Sequence, residues 1–148
     1  MTTYTGVQKG RPTFATADCG VWKDSNAVTV TAALATTDAI VAMDVPAGTR
    51  LETLRYRSGD MDTGTGTLTM NVGYRTKLPG GTASSATFFA SASAAFAAAT
   101  TTWQELVFAP VKFEEPVEIV LVPAVAANAL GGSATAYFQA TGVLEGIT

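Results

Sequence analysis

The chain of 148 residues has no histidine and only one cysteine, Cys19. Without an imidazole, Ser-His-Asp and Cys-His nucleophilic arrangements are excluded, as is any histidine metal site. A lone thiol closes no intramolecular disulfide, which points away from a disulfide-stapled secreted domain. Asp18 beside it disfavours a thiolate, so Cys19 reads as a structural thiol and not a nucleophile. Charge is scarce too. Charged residues make up 14% of the chain against 47% hydrophobic, below the usual quarter for a soluble domain. A monomer covers its surface with charge, so this balance suits a chain that hides part of its surface in an assembly. The net charge of −3 argues against a nucleic-acid partner, whose phosphates need a basic patch. Unbroken apolar runs are missing as well. The uncharged stretches 78–104 and 119–144 are interrupted by Pro79, Gly80 and Gly81, and by Pro123, Asn128, Gly131 and Gly132. Neither reads as a membrane span, so no membrane partner is expected. The opening MTTYTGVQKG lacks the apolar core of a signal peptide.

What is present is a period of two. Residues 38–74 read DAIVAMDVPAGTRLETLRYRSGDMDTGTGTLTMNVGY. Ala39, Val41, Met43 and Val45 share one face of an extended segment, with Asp38 and Asp44 on the other. Pro46-Ala47-Gly48 breaks the run, because proline lacks a ladder donor and glycine admits positive φ. Residues 49–57 form a second strand. There Leu51 falls on one parity and Leu54 and Tyr56 on the other; a β-bulge near Glu52-Thr53 returns both sets to the core, and a strand buried on both faces is the alternative. A polar turn over 58–66 leads to a third strand, with Leu68, Met70, Val72 and Tyr74 inward. This alternation predicts a half-buried antiparallel sheet.

The same reading places strands at 26–34, 103–108, 111–113, 117–122 and 134–144. Residues 86–100 are read as one short helix, since Phe88, Phe89, Ala92, Ala95, Phe96 and Ala99 recur at three and four residues and alanine favours helix; Ser91 and Ser93 weaken it, and a strand is the alternative. The expected fold is all-β: an antiparallel jelly-roll-like sandwich of about eight strands with one short helix. Residues 26–148 form the sandwich and residues 1–25 an extended N-terminal arm. The arm has no period, and its spaced aromatics Tyr4, Phe14 and Trp22, with Arg11, suit docking on another surface; a disordered tail is the alternative.

No constellation carries catalysis. Asp60-Met61-Asp62-Thr63-Gly64 resembles part of a calcium loop but lacks the later bidentate glutamate, and the turn reading is preferred. Glu114 and Glu115 diverge beside Pro116 with no partner carboxylate placed opposite, so they read as a solvated rim. Gly64-Thr65-Gly66 lacks the lysine and helix of a phosphate loop. Arg50, Arg55, Arg57 and Arg75 either form a local basic stripe or pair with Glu52, Asp60 and Asp62. Trp22, Trp103 and Tyr137 suit a lectin-like site, though Trp103 opens an apolar strand and fits a core or subunit contact better. The chain is read as a non-enzyme with no cofactor and no metal.

Val45-Pro46-Ala47-Gly48-Thr49-Arg50-Leu51 is followed by Thr67-Leu68-Thr69-Met70-Asn71-Val72-Gly73-Tyr74. Then come Thr87-Phe88-Phe89-Ala90 and Glu115-Pro116-Val117-Glu118-Ile119-Val120-Leu121. This order over residues 38–122, with 134–144 as a closing strand, resembles the jelly-roll decoration (cement) proteins of tailed-bacteriophage heads. The resemblance implies a structural virion protein on the outer capsid surface. It implies a homotrimer bridging neighbouring major capsid subunits, and no catalytic residues. Related proteins serve as head-fibre or tail components, and a lectin-like carbohydrate-binding module is the reading from another class. The interface candidates are Tyr4, Arg11, Phe14, Trp22 and Trp103.

Overall fold

A computed structural model describes residues 1–6 and 20–146 of the chain. Among them are ten strands: β1 Thr3–Thr5, β2 Val21–Val30, β3 Ala39–Val45, β4 Thr49–Ser58, β5 Thr69–Thr76, β6 Ser85–Ser93, β7 Gln104–Leu106, β8 Val111–Phe113, β9 Val117–Val125 and β10 Ala134–Leu144. One sheet has the order β1-β3-β9-β5-β6. The other runs β2-β10-β4-β7, and β8 also pairs with β4. From β2 to β5 the chain changes sheet at every connection, so the two layers are built together. Pairing is antiparallel except at β1, which lies parallel to β3. The all-β sandwich read from the sequence is the fold observed.

Alternating side chains build the core between the layers. Val28 and Val30 of β2, Leu51, Leu54 and Tyr56 of β4, and Ala136, Phe138 and Ala140 of β10 all join it. Opposite them stand Met70 and Val72 of β5 and Val117, Ile119 and Leu121 of β9. Burying Phe96 or Phe138 stabilises the fold by about 1.5–3 kcal/mol each. The parity change in β4 is resolved as expected: Thr141 stands opposite Thr53 and Gly142 opposite Leu51, so Glu52 is the extra residue of a bulge. Gly142 is required there, because a Cβ would overlap the carbonyl oxygen of Arg50.

In β3 a second bulge alters the simple alternation. Val41 pairs with Val120 and Met43 with Ile119, which leaves Ala42 extra. Ile40 and Ala42 therefore join Met43 and Val45 in the core cluster, in place of Ala39 and Val41. The connection after it turns at Gly48, whose φ is 77° and whose amide donates to the Phe113 carbonyl at 2.7 Å.

Two expectations are corrected. Residues 86–100 are not an α-helix: β6 occupies most of the segment, and only Ala94–Phe96 coil, as one 3-10 turn. The segment pairs irregularly with β5, where Val72 faces Ala90 but Tyr74 faces Ser85. Tertiary pairing overrides alanine's helical preference here. The arm boundary after Ser25 falls inside β2, a continuous strand from Val21 to Val30. Residues 21–25 pair with Val143–Gln139 of β10 and are part of the sandwich edge. Among the described residues, no helix is long and apolar enough to cross a membrane.

Buried polar groups tie loops to the layers. Asn26 donates through Nδ2 to the Ala42 carbonyl at 2.6 Å, joining the edges of the two sheets. Asp38 accepts from the Thr2 amide at 2.7 Å and the Ala35 amide at 3.0 Å, which seats β1 beside β3. Those two amide bonds hold its carboxyl below the usual value of 3.8.

Candidate functional site

The outer face of the β2-β10-β4-β7 sheet gathers the surface aromatics. On β10 the inward positions are small or apolar, so Thr135, Tyr137, Gln139 and Thr141 point out. Pairing sets Tyr137 between Ala27 of β2 and Arg57 of β4. The β4–β7 ladder pairs Tyr56 with Gln104 and Arg55 with Glu105, which brings Trp103 next to Arg57. The result is a row across four strands: Ala27, Tyr137, Arg57, Trp103. The Arg57 guanidinium lies 5.5 Å from the Trp103 ring centroid and 4.8 Å from that of Tyr137. Both distances suit cation–π attraction.

The neighbouring rows are polar. On one side lie Ser25, Gln139, Arg55 and Glu105, with Arg55 paired to Glu105 at 3.1 Å. On the other, the hydroxyls of Thr29 and Thr135 meet at 3.0 Å. Two shallow depressions border Tyr137. One, of about 230 Å³, is lined by Ser25, Asn26, Ala27, Trp103, Phe138 and Gln139. The other, of about 470 Å³, is lined by Arg57, Ser58, Thr100, Thr101 and Thr135. The Trp103 and Tyr137 side chains remain 38% and 39% exposed. This surface can bind by stacking and hydrogen bonding. It offers no acid–base pair.

The residues singled out in the sequence have different fates. Tyr4 sits in β1 opposite Ile40, half-buried and packed against the core. Trp22 is fully buried, with no hydrogen-bond partner for its Nε1. It points inward because it shares the parity of Val28 and Val30, so it is a core residue and no surface anchor of the single chain. Arg11 and Phe14 lie outside the described residues. Trp103 and Tyr137 come together, and Trp22 stands apart from them. Arg57 was missed as a site residue, because its place between the two rings depends on register across three strands.

The arginines do not form a basic stripe. Arg50 pairs with Glu52 at 3.1 Å and with Glu145 at 2.6 Å, and Arg75 pairs with Glu118 at 2.9 Å on the other sheet. The exposed Arg50–Glu52 pair contributes roughly 0–1 kcal/mol; Glu118 is buried and its pair with Arg75 is partly shielded. Asp60 and Asp62 serve their own turn. Asp60 accepts from the Asp62 amide at 3.0 Å. Asp62 accepts from the amides of Leu68 at 3.0 Å, Asn128 at 3.1 Å and Ala129 at 3.2 Å. Burial pushes its carboxyl up, but these amides and that of Gly64 outweigh it and hold it below 3.8. A carboxylate committed to four amides is a structural clasp between loops. Glu115 is likewise a clasp and not a free rim residue, taking the Thr76 hydroxyl at 2.9 Å. Among the described residues, no group of three or more acids, histidines or cysteines is placed to hold a metal.

A second surface lies where β6 meets the segment after β7. Phe89 packs edge-on to Phe108 at 4.8 Å, and Tyr74 to Phe113 at 4.8 Å. Phe88 continues this cluster to the surface at 38% exposure, and Val107 is 92% exposed.

No family model matches the sequence, and no curated protein does. Solved structures do share its shape. A chain of the Cyanophage Pam1 capsid asymmetric unit is 24% identical, with a TM-score of 0.67 over 91% of both chains. A chain of the capsid of Ralstonia phage GP4 is 19% identical, with a TM-score of 0.66 over 93% of both chains. What these likenesses establish is the fold, shared over 91% and 93% of this chain with chains of two phage capsids.

Proposed function

We propose that this chain is a structural virion protein that decorates and stabilises a bacteriophage capsid. The observation that carries the reading is the whole-chain likeness, over 91% and 93% in both directions, to chains of two phage capsids. The chain acts by contact and performs no chemistry. It sits on the outer capsid surface as a homotrimer that bridges neighbouring major capsid subunits. Low charge supports this, since 14% charged residues leave much of the surface free to be covered. The exposed Phe88 and Val107 supply apolar anchors for a contact between copies. Bridging works by multiplied contact: each copy buries a modest interface, and three linked copies gain avidity.

Light scattering on the purified protein and binding to expanded capsids lacking it test the reading. The expected result is a mass three times that of the chain and saturable attachment to the shells. A monomer that attaches to no shell overturns the proposal. Locating the chain in a particle reconstruction separates a decoration protein from a head-fibre or tail component.

A further inference from the structure

The row Tyr137–Arg57–Trp103 is not explained by folding. Core side chains of β4 and β10 point to the other side of the sheet, and the two rings keep more than a third of their surface in water. Arg57 is also unlike Arg50, Arg55 and Arg75. Each of those faces a carboxylate; Arg57 has no carboxylate partner among the described residues. Its guanidinium is held between two rings, which fixes the planar fork in place while leaving its charge uncompensated. Neither depression beside it is lined by an acid. The site therefore favours an anion, and it offers that anion aromatic surface.

The surroundings decide what kind of anion. A protein hot spot sits in a well-packed, desolvated pocket whose surrounding contacts exclude water. Here the flanks are Ser25, Gln139 and the mutually paired Arg55 and Glu105 on one side and Thr100, Thr101 and Thr135 on the other. Hydroxyls and an amide around exposed rings match a ligand that carries many hydroxyls of its own. The sheet face is flat and open, so the ligand lies across it and is not enclosed.

We propose that this face binds an acidic saccharide of the uronate class. A sugar ring stacks on Trp103 or Tyr137, its carboxylate meets the Arg57 guanidinium, and Gln139, Ser25 and the threonines take its hydroxyls. The site is separate from the apolar surface around Phe88 and Val107, and it stands whether or not the chain decorates a capsid.

The chain has two tryptophans, one buried and one at the site, so emission reports on Trp103. The full protein is titrated with galacturonate and glucuronate oligomers, and with neutral galactose oligomers of equal length. A saturable emission change is expected with the acidic oligomers, with the neutral ones bound at least about tenfold more weakly. Arg57→Gln is expected to weaken the acidic oligomer about tenfold, the loss of one charge-assisted bond. Tyr137→Ala, checked for folding by circular dichroism, weakens both classes. Trp103→Ala, followed by calorimetry because the reporter is gone, abolishes binding. Added salt lowers affinity for the acidic oligomer only. No saturable response, equal affinity for acidic and neutral oligomers, or an unchanged affinity in Arg57→Gln overturns the proposal. So does a Trp103→Ala chain that changes oligomeric mass or capsid attachment while the sugars have no effect, since the face is then a protein contact.

Discussion

Replacing Gly73 by alanine tests how closely β5 and β6 approach. Gly73 is buried in β5 between Val72 and Tyr74. A Cβ there overlaps the carbonyl oxygen of Ser85 and lies 2.5 Å from the carbonyl carbon of Ala86. Both are backbone atoms, so no flexible side chain can swing aside. Overpacking of this kind costs about 1–3 kcal/mol. Stiffening the unfolded chain returns about 0.4–1 kcal/mol. The net loss is about 1.3 kcal/mol at the middle of the two ranges. For a domain of this size that lowers Tm by roughly 3–5 °C. Gly66→Ala is the comparison. Its φ is 67° and nothing lies within 4 Å of the added atom, so it bears only the left-handed backbone cost of about 1–2 kcal/mol, less the same return. Thermal unfolding followed by circular dichroism reads both. Gly73→Ala should fall clearly below Gly66→Ala. An unchanged or raised Tm for Gly73→Ala refutes the close approach and with it the irregular β5–β6 pairing.

Four further outcomes follow from the same structure. Asp38 and Asp62 have carboxyls held below 3.8 in the folded chain, so the stability they contribute is present above that value and is lost as pH falls through the lower folded one. Tm should therefore drop below about pH 4, and Asp62→Asn should lower Tm at pH 7 while flattening the acid drop; a parallel drop in both proteins counts against the clasp. Asp24 runs the other way, because burial raises its carboxyl above 3.8, and its charged form costs stability as pH rises, so Asp24→Asn should raise Tm slightly at neutral pH. Acrylamide should quench one of the two tryptophans, and Trp103→Phe should leave only protected, blue-shifted emission from Trp22; equal quenching of both would contradict the buried placement of Trp22. Deleting residues 1–25 should unfold the sandwich, since it removes Trp22, worth about 3–5 kcal/mol by truncation, and half of β2; deleting residues 1–5 should leave the sandwich folded, and a folded 1–25 deletion would show that β2 is dispensable.

Local alternation made the layers legible. Leu68, Met70 and Val72, or Ala136, Phe138 and Ala140, carry their facing in a period of two that neighbours in sequence set by themselves. The β4 bulge was legible for the same reason: one extra residue brings two apolar sets on opposite parity to a single face. The β3 bulge was not, because Ile40, Val41, Ala42 and Met43 are apolar on both parities and either face satisfies the pattern. Residues 86–100 failed in a related way. An alanine-rich run with aromatics at three and four residues fits a helix until β5 pairs with it.

The candidate site divides along the same line. Which side chains are able to stack was readable from composition, and the absence of histidine excluded most nucleophilic chemistry before any fold was known. Whether an aromatic faces water was not readable: the sequence put Trp22 on a docking arm and Trp103 at a core or subunit contact, while the fold buries Trp22 and leaves Trp103 38% exposed. Strand parity sends Trp22 into the core, and the register of β10, β4 and β7 sets Arg57 between Tyr137 and Trp103. Residues 57, 103 and 137 meet only when three strands pair at one offset, and that offset is set by long-range burial and hydrogen bonding, which no local stretch of sequence encodes.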